Sequence, residues 1–158
     1  MSISSVSRLL LGAAVVGLVL AAPAGAQSDE QAVIAVVNKF FDGMRGKDTA
    51  MIRSTVVPST VLVSVGGEKG LGDPSPISAF IERVGSRPGP GGDERIKDPV
   101  VHIDDGFATL WAYFTYTRGG QTTIDHCGVD LFLLRKSADG WKVFYVADTH
   151  RTVGCKPI

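Results

Sequence analysis

The chain is poor in the residues that several common chemistries need. It holds three histidines, His102, His126 and His150, and two cysteines, Cys127 and Cys155, among 158 residues. None of these stand in an H-x-H, H-E-x-x-H or C-x-x-C spacing. Those spacings are what bring two ligands to one metal ion, so no metal is expected, and no cofactor is expected either. Charge of neither sign is in excess: 16 Lys and Arg balance 16 Asp and Glu. The basic residues form no stripe, which argues against a nucleic-acid partner. No internal repeat or low-complexity tract occurs, and long apolar runs are missing except for one.

That run follows Arg8 and reads "LLLGAAVVGLVLAAPAGA", with polar "QSDEQ" directly after it. Ala24-Gly25-Ala26 fits the small-x-small pattern of a leader cleavage site. The apolar part, residues 9–22, is short for a membrane span of about 20 residues, and Pro23 and Gly25 break it. Residues 1–26 therefore read as a secretory signal peptide cut near Ala26. Residues 27–158 then form a single domain, periplasmic or secreted, with no membrane attachment after cleavage. In an oxidising compartment an even pair of cysteines reads as a bridge, Cys127 to Cys155, worth ~3–4 kcal/mol in the chain-entropy picture. The rival reading is a reactive Cys127 beside His126. Sequence neighbours on a strand face opposite ways, which is poor geometry for a thiolate–imidazole pair.

The domain opens on helical periodicity. Ser28 and Gln31 have capping-box spacing, and Val33, Val36, Val37, Phe40, Phe41 and Met44 recur on one face up to about Gly46. Asp48 caps a short second helix over residues 49–54, stopped by Pro58. Residues 60–65 are β-branched and read as a strand. Ser75-Pro76 starts a third helix through Val84, with Pro at its first position. "GSRPGPGGDE" reads as an irregular connection. From Ile96 on, the pattern is β: strands separated by Asp104-Asp105-Gly106, by Gly119-Gly120 and by "SADG" make a meander of hairpins. Helices first and a run of strands after them mean an α+β fold, with a curved antiparallel sheet covered by the N-terminal helices.

The helix "AVIAVVNKFFDGMRGKD", the strand "FATLWAYFTY" and the segment "HCGVDLFLLRKSADGWKVFYVADTHRTVGC" resemble the nuclear transport factor 2-like superfamily, which includes SnoaL-like and ketosteroid-isomerase-like proteins. They are most similar to a secreted subgroup labelled lumazine-binding. The resemblance implies a cone-shaped, cystatin-like α+β barrel with an interior pocket, often a homodimer through the sheet. It implies no reaction, because one fold hosts many functions.

Strand alternation nominates the pocket residues. A tight turn at Gly119-Gly120 pairs Tyr113 with His126, Trp111 with Gly128 and Thr109 with Asp130. One face then carries Thr109, Trp111, Tyr113, His126 and Asp130, as a ligand pocket does. The other carries Leu110, Ala112, Phe114, Cys127 and Val129, plain apolar surface. Gly128 would leave room for the indole or a ligand. Tyr145 and Asp148 join from the last strand, whose register two alternatives leave open: a plain loop pairs Asp130 with Ala147, a bulge pairs it with Asp148. In the second case two carboxyls lie side by side, and one should have a raised pKa. Arg53 on the second helix could meet an anionic ligand.

The expected function is binding of a small, partly apolar or aromatic organic molecule. The alternative is an acid/base isomerase, lyase or hydrolase using His126, Asp130 and Tyr113. The ketosteroid-isomerase-like resemblance, whose members use pocket acids and tyrosines, favours that alternative. A structural reading, in which these polar groups only satisfy one another, stands beside both.

Overall fold

The computed structural model describes residues 28–66 and 70–158. The signal-peptide reading of residues 1–26 lies outside the described residues. Among the described residues, no helix is long and apolar enough to cross a membrane.

The first helix, α1 (Asp29–Gly46), starts where the sequence places it. Ser28 Oγ accepts from the Gln31 N–H at 3.2 Å, and Gln31 Oε1 accepts from the Ser28 N–H at 3.4 Å, which satisfies two donors that a helix start leaves orphaned. Its end is Lys47, in the left-handed region at φ 53°. Asp48 Oδ1 then accepts from the Met51 N–H at 2.8 Å and caps α2 (Thr49–Thr55). Pro58 is not what stops this helix. The chain passes straight from α2 into β1 (Val56–Val65), and Pro58 lies where β1's pairing skips from Val56 to Val61, so its missing N–H is not called for. A two-residue strand, β2 (Ser75–Pro76), pairs with Val61 and Leu62. Pro76 is thus the N-cap of α3 (Ile77–Ser86), not its first helical residue.

The meander follows as β3 (Asp93–Asp104), β4 (Phe107–Thr117), β5 (Ile124–Ser137) and β6 (Gly140–Thr149). The spatial order is β2-β1-β6-β5-β4-β3. Every neighbour is antiparallel except β1 against β6, which is parallel, so the sheet is mixed. Hairpins dictate antiparallel pairing within β3–β6. No tight turn joins β1 to β6, and that edge is free to take either sense. β3 also starts earlier than its Gly- and Pro-rich approach suggests. Asp93 and Glu94 pair with Thr117 and Tyr116, and a bulge at Asp98 (φ 48°) and Pro99 carries the strand onward in phase.

The β4–β5 connection holds the expected turn and a different register. The Gln121 N–H donates to the Arg118 carbonyl at 2.9 Å, as the Gly119-Gly120 signal predicts. The chain then loops out through residues 121–123 before Thr117 meets Ile124, and Asp125 bulges before Tyr116 meets His126. His126 therefore faces Tyr116, not Tyr113, Gly128 faces Phe114, and Asp130 faces Ala112. An odd slip reverses which face of β4 goes with which face of β5. Leu110, Ala112 and Phe114 consequently line the inner wall with Phe132 and Leu134, all of them buried. Against this wall α1 lays Val33, Val37, Phe40, Phe41 and Met44. Phe40 and Phe41 meet the Phe132 ring edge-on at 5.9 and 5.6 Å. Each such side chain contributes about 1.5–3 kcal/mol on leaving water.

On the outer face the chain beyond β6 is tied down. Cys127 exchanges backbone hydrogen bonds with Arg151 at 2.9 and 3.0 Å, and the expected Cys127–Cys155 disulfide is present, with Cα atoms 5.6 Å apart. The neighbouring Gly128 holds a close approach: a Cβ there would lie 1.9 Å from the Thr149 carbonyl oxygen and 2.9 Å from the Phe114 ring. Gly128→Ala is expected to destabilise the domain by ~2–3 kcal/mol, because backbone and not a flexible side chain must move. Urea denaturation checks this, and an unchanged midpoint would show that the strands give way freely.

Candidate functional site

A cavity of about 900 Å³ lies between the inner face of the sheet and the helices. Its depth is aromatic: Phe40, Phe80, Phe114 and Phe132 line it, with Phe40 stacked on Phe80 at 5.6 Å. Into this apolar wall three strands project carboxyl groups. Asp130 comes from the middle of β5, Asp148 from its paired position on β6, and Glu94 from the start of β3. A bulge thus does set the last register, but it sits at Phe144, where pairing shifts between Leu133–Tyr145 and Leu134–Val143, and not at Gly140.

Asp130 is 2% exposed, and its Oδ2 receives no hydrogen bond from any donor among the described residues. Burial raises its pKa well above the usual carboxylate range, and the Glu94 and Asp148 charges add to the rise. Glu94 stands beside it on the cavity wall. Burial pushes Glu94 up to about 8, with the Asp148 charge in support and the bond to Asp130 opposing. Two such carboxyls can bond each other only if one keeps a proton. Asp148 is raised as well, again by burial, while Ser64 Oγ donates to its Oδ1 at 2.6 Å and holds the rise back.

Beside the acids stands a stack of rings. His126 lies between Tyr116, at 4.6 Å, and His150, at 3.8 Å, both nearly parallel to it. Phe114 meets it edge-on at 5.8 Å. Burial lowers the His126 pKa; the hydrogen bond to Asp125 opposes this, and the nearby His150 reinforces it. Its Nδ1 pairs with Asp125 Oδ2 at 3.0 Å, an arrangement in which the neutral ring donates from Nδ1 and keeps Nε2 as a base. Asp125 is itself held low by His126 and Arg118. A protonated carboxyl and a neutral imidazole in one cavity are an acid and a base both ready near neutral pH.

The residues nominated from strand alternation divide between the two faces. His126, Asp130 and Asp148 line the cavity. Tyr113, Trp111 and Thr109 lie on the outer face, because the bulge at Asp125 adds one residue to the even shift made by the looped-out 121–123 and so leaves the β4 register changed by an odd number. There Tyr113 Oη accepts from the Lys156 N–H at 2.7 Å, the Arg151 guanidinium lies 5.9 Å over the Tyr113 ring, and Trp111 is 52% exposed. Gly128 opens no room for a ligand, since Phe114 and the Thr149 backbone fill the space. Tyr145 pairs with Leu133 and stays outside the cavity, and exposed Arg53 does not line it. Glu94, Tyr116 and His150 take the vacated roles. Glu94 was hidden by the loop-like "GPGGDE" before it, Tyr116 by the register, and His150 by its place just past the last strand.

The carboxyls link the site to stability. Glu94 and Asp130 hold a proton more tightly in the folded chain than in the unfolded one. For Glu94 the stabilising contribution is complete below its unfolded value of 4.5 and is lost as pH rises through about 8; for Asp130 it is complete below 3.8 and is likewise lost as pH rises through its raised folded value. His126 has the opposite sign, with stability lost as pH falls through its unfolded value of 6.5. Glu94→Gln and Asp130→Asn are each expected to gain stability relative to the parent chain as pH is raised from about 5 to about 8. Urea melts at the two pH values measure it. A difference that does not change with pH sinks the assignment of raised carboxyls.

No protein-family model matches the chain, and no curated protein matches it. Solved structures do. A nuclear transport factor 2-like protein of unknown function from Shewanella baltica is 18% identical, over 78% of this chain and 94% of that one, with a TM-score of 0.58. One from Cytophaga hutchinsonii is 12% identical, over 79% and 100%, at 0.65. A protein of unknown function with a cystatin-like fold, from Nostoc punctiforme, is 10% identical, over 78% and 92%, at 0.63. At these identities the likeness is one of fold, and the lumazine-binding subgroup is not singled out. Residues 28–158 have the nuclear transport factor 2-like fold: a curved, unclosed six-stranded sheet wrapped against three helices.

Proposed function

We propose that the cavity binds a small, partly apolar or aromatic organic molecule and presents it with a proton-bearing carboxyl. One observation carries this reading. Asp130 is buried in the wall of a ligand-sized, aromatic-lined cavity, and its Oδ2 has no donor among the described residues. A purely structural acid in such a place would be matched with donors. Here its neighbours are two more acids, an arrangement that destabilises the fold at neutral pH and is typical of sites kept for chemistry.

The same cluster favours a second reading, general acid–base catalysis of the isomerase, lyase or hydrolase kind. Asp130 or Glu94 donates the proton and His126 accepts one, with Tyr116 in the place first given to Tyr113. In the binding reading, Asp130→Asn and His126→Ala weaken retention of the molecule. In the catalytic reading, they spare affinity and lower turnover by roughly 10²–10⁴-fold. Native mass spectrometry of protein purified from its own host tests the shared premise. A bound species of a few hundred daltons is expected in the parent chain, and a chain that arrives empty and takes up no small organic molecule overturns it.

Export and self-association belong to the proposal. Cleavage after Ala26 predicts mature protein beginning at Gln27, which N-terminal sequencing of the exported fraction reads. Val100, Phe107 and Trp111 are exposed on the outer strands β3 and β4, apolar surface suited to a second copy of this chain. Sedimentation is expected to show a dimer that Trp111→Glu dissociates; a parent chain that runs as a monomer at high concentration removes that expectation.

A further inference from the structure

The cavity has two electrically different ends. Its depth holds Asp130 with the aromatic rings, whereas the exposed charged residues that line the cavity include three cations, Arg83, Arg87 and Arg118, against one acid, Asp73. Arg118 is taken, because it pairs with Asp125. Arg83 and Arg87 make no ion pair among the described residues. A cation in the last turn of a helix is favourable for its own sake, and Arg83 on α3 has that explanation. Arg87 needs another. It stands just past the helix, and its Nη1 donates to Tyr116 Oη at 3.1 Å, the tyrosine that stacks on His126. Arg83 is likewise laid over the cavity-lining Phe80, with its guanidinium carbon 5.6 Å from the ring centre. Both groups are thus held against cavity-lining side chains.

Resting on the reading of the cavity as a binding site, we infer that its ligand is an amphipathic anion. An apolar or aromatic body fills the space between Phe40, Phe80, Phe114 and Phe132. A carboxylate or sulfonate-like group ends at Arg83 and Arg87. A neutral hydroxyl or carbonyl oxygen at the far end meets the protonated acids. The order follows from solvation: an anionic group at depth would lose its water among buried rings and carboxyls that hold protons and carry no compensating positive charge, while at the mouth it gains two charge-assisted donors and keeps part of its water.

Two fluorescent probes with one ring framework test this: 8-anilinonaphthalene-1-sulfonate and its uncharged counterpart N-phenyl-1-naphthylamine. The parent chain is expected to bind the sulfonate ~10-fold or more tightly than the neutral probe at low salt, a preference that shrinks as salt is added. Arg83→Gln with Arg87→Gln should abolish the preference and leave the neutral probe's affinity unchanged. A Trp111→Ser variant, altered only on the outer face, should behave as the parent does, which locates both probes in the cavity. Equal affinity for the two probes in the parent, or a preference that survives loss of both arginines, overturns the anionic end and leaves the cavity reading standing. Binding of neither probe overturns both.

Discussion

Tyr116 facing His126 across β4 and β5 is the contact from which the interior follows. Side chains alternate along each strand, so one cross-strand pair fixes the facing of every other residue on both. With this pair on the inner face, Ala112 comes to lie opposite Asp130 and Phe114 opposite Gly128. A small residue thus lies beside the buried acid, and the missing side chain of Gly128 lets the Thr149 backbone and the Phe114 ring approach closely. The same choice sends Trp111 and Tyr113 outward, where the disulfide-tethered C-terminal segment covers one and leaves the other half in solvent.

The acid cluster is the counterpart of that packing. Three carboxyls from three strands lie in a wall otherwise built of phenylalanine and valine, and the fold would be more stable at neutral pH with amides or apolar groups in their place. Stability is surrendered at one spot while the rest of the domain follows the ordinary rules: reciprocal caps, an apolar helix face, a disulfide on the outer surface. Such localised disagreement marks a site more surely than any single residue type does, because packing alone gives no reason to keep it. The two stacked imidazoles extend the logic. Burial keeps His126 neutral, and Asp125 fixes its orientation from the rim.

A shared fold does not fix a function, because one frame can carry many different sites. Any function of this chain therefore has to be argued from its own lining: acids at depth, aromatic rings along the wall and arginines at the entrance. Each layer comes from a different element, the acids from β3, β5 and β6, the rings from α1, α3, β4 and β5, the arginines from the end of α3. A ligand that satisfies all of them has to bridge the sheet and the helices.

Local chemistry made much of this readable in advance. Ser28 and Asp48 begin helices because their side chains reach the backbone three residues on, and the apolar stripe of α1 needs only its own spacing. Strand alternation alone placed His126 and Asp130 on one face, and the pair Cys127–Cys155 needed no more than an even count in an oxidising setting. Facts that join distant segments were out of reach. Whether Asp125 bulges beyond the looped-out residues 121–123 decides which register buries Ala112 and Phe114 beneath the helices, and that is set by packing and not by the turn residues. Glu94 became a site residue only because β3 continues through a stretch that reads as loop, and its carboxyl meets Asp130 two strands away. The order of elements and their caps are properties of neighbouring residues, which the sequence by itself determined. The register that assembles the acids, and the burial that raises their pKa values, are properties of the whole packed sheet, and only the tertiary structure decided them.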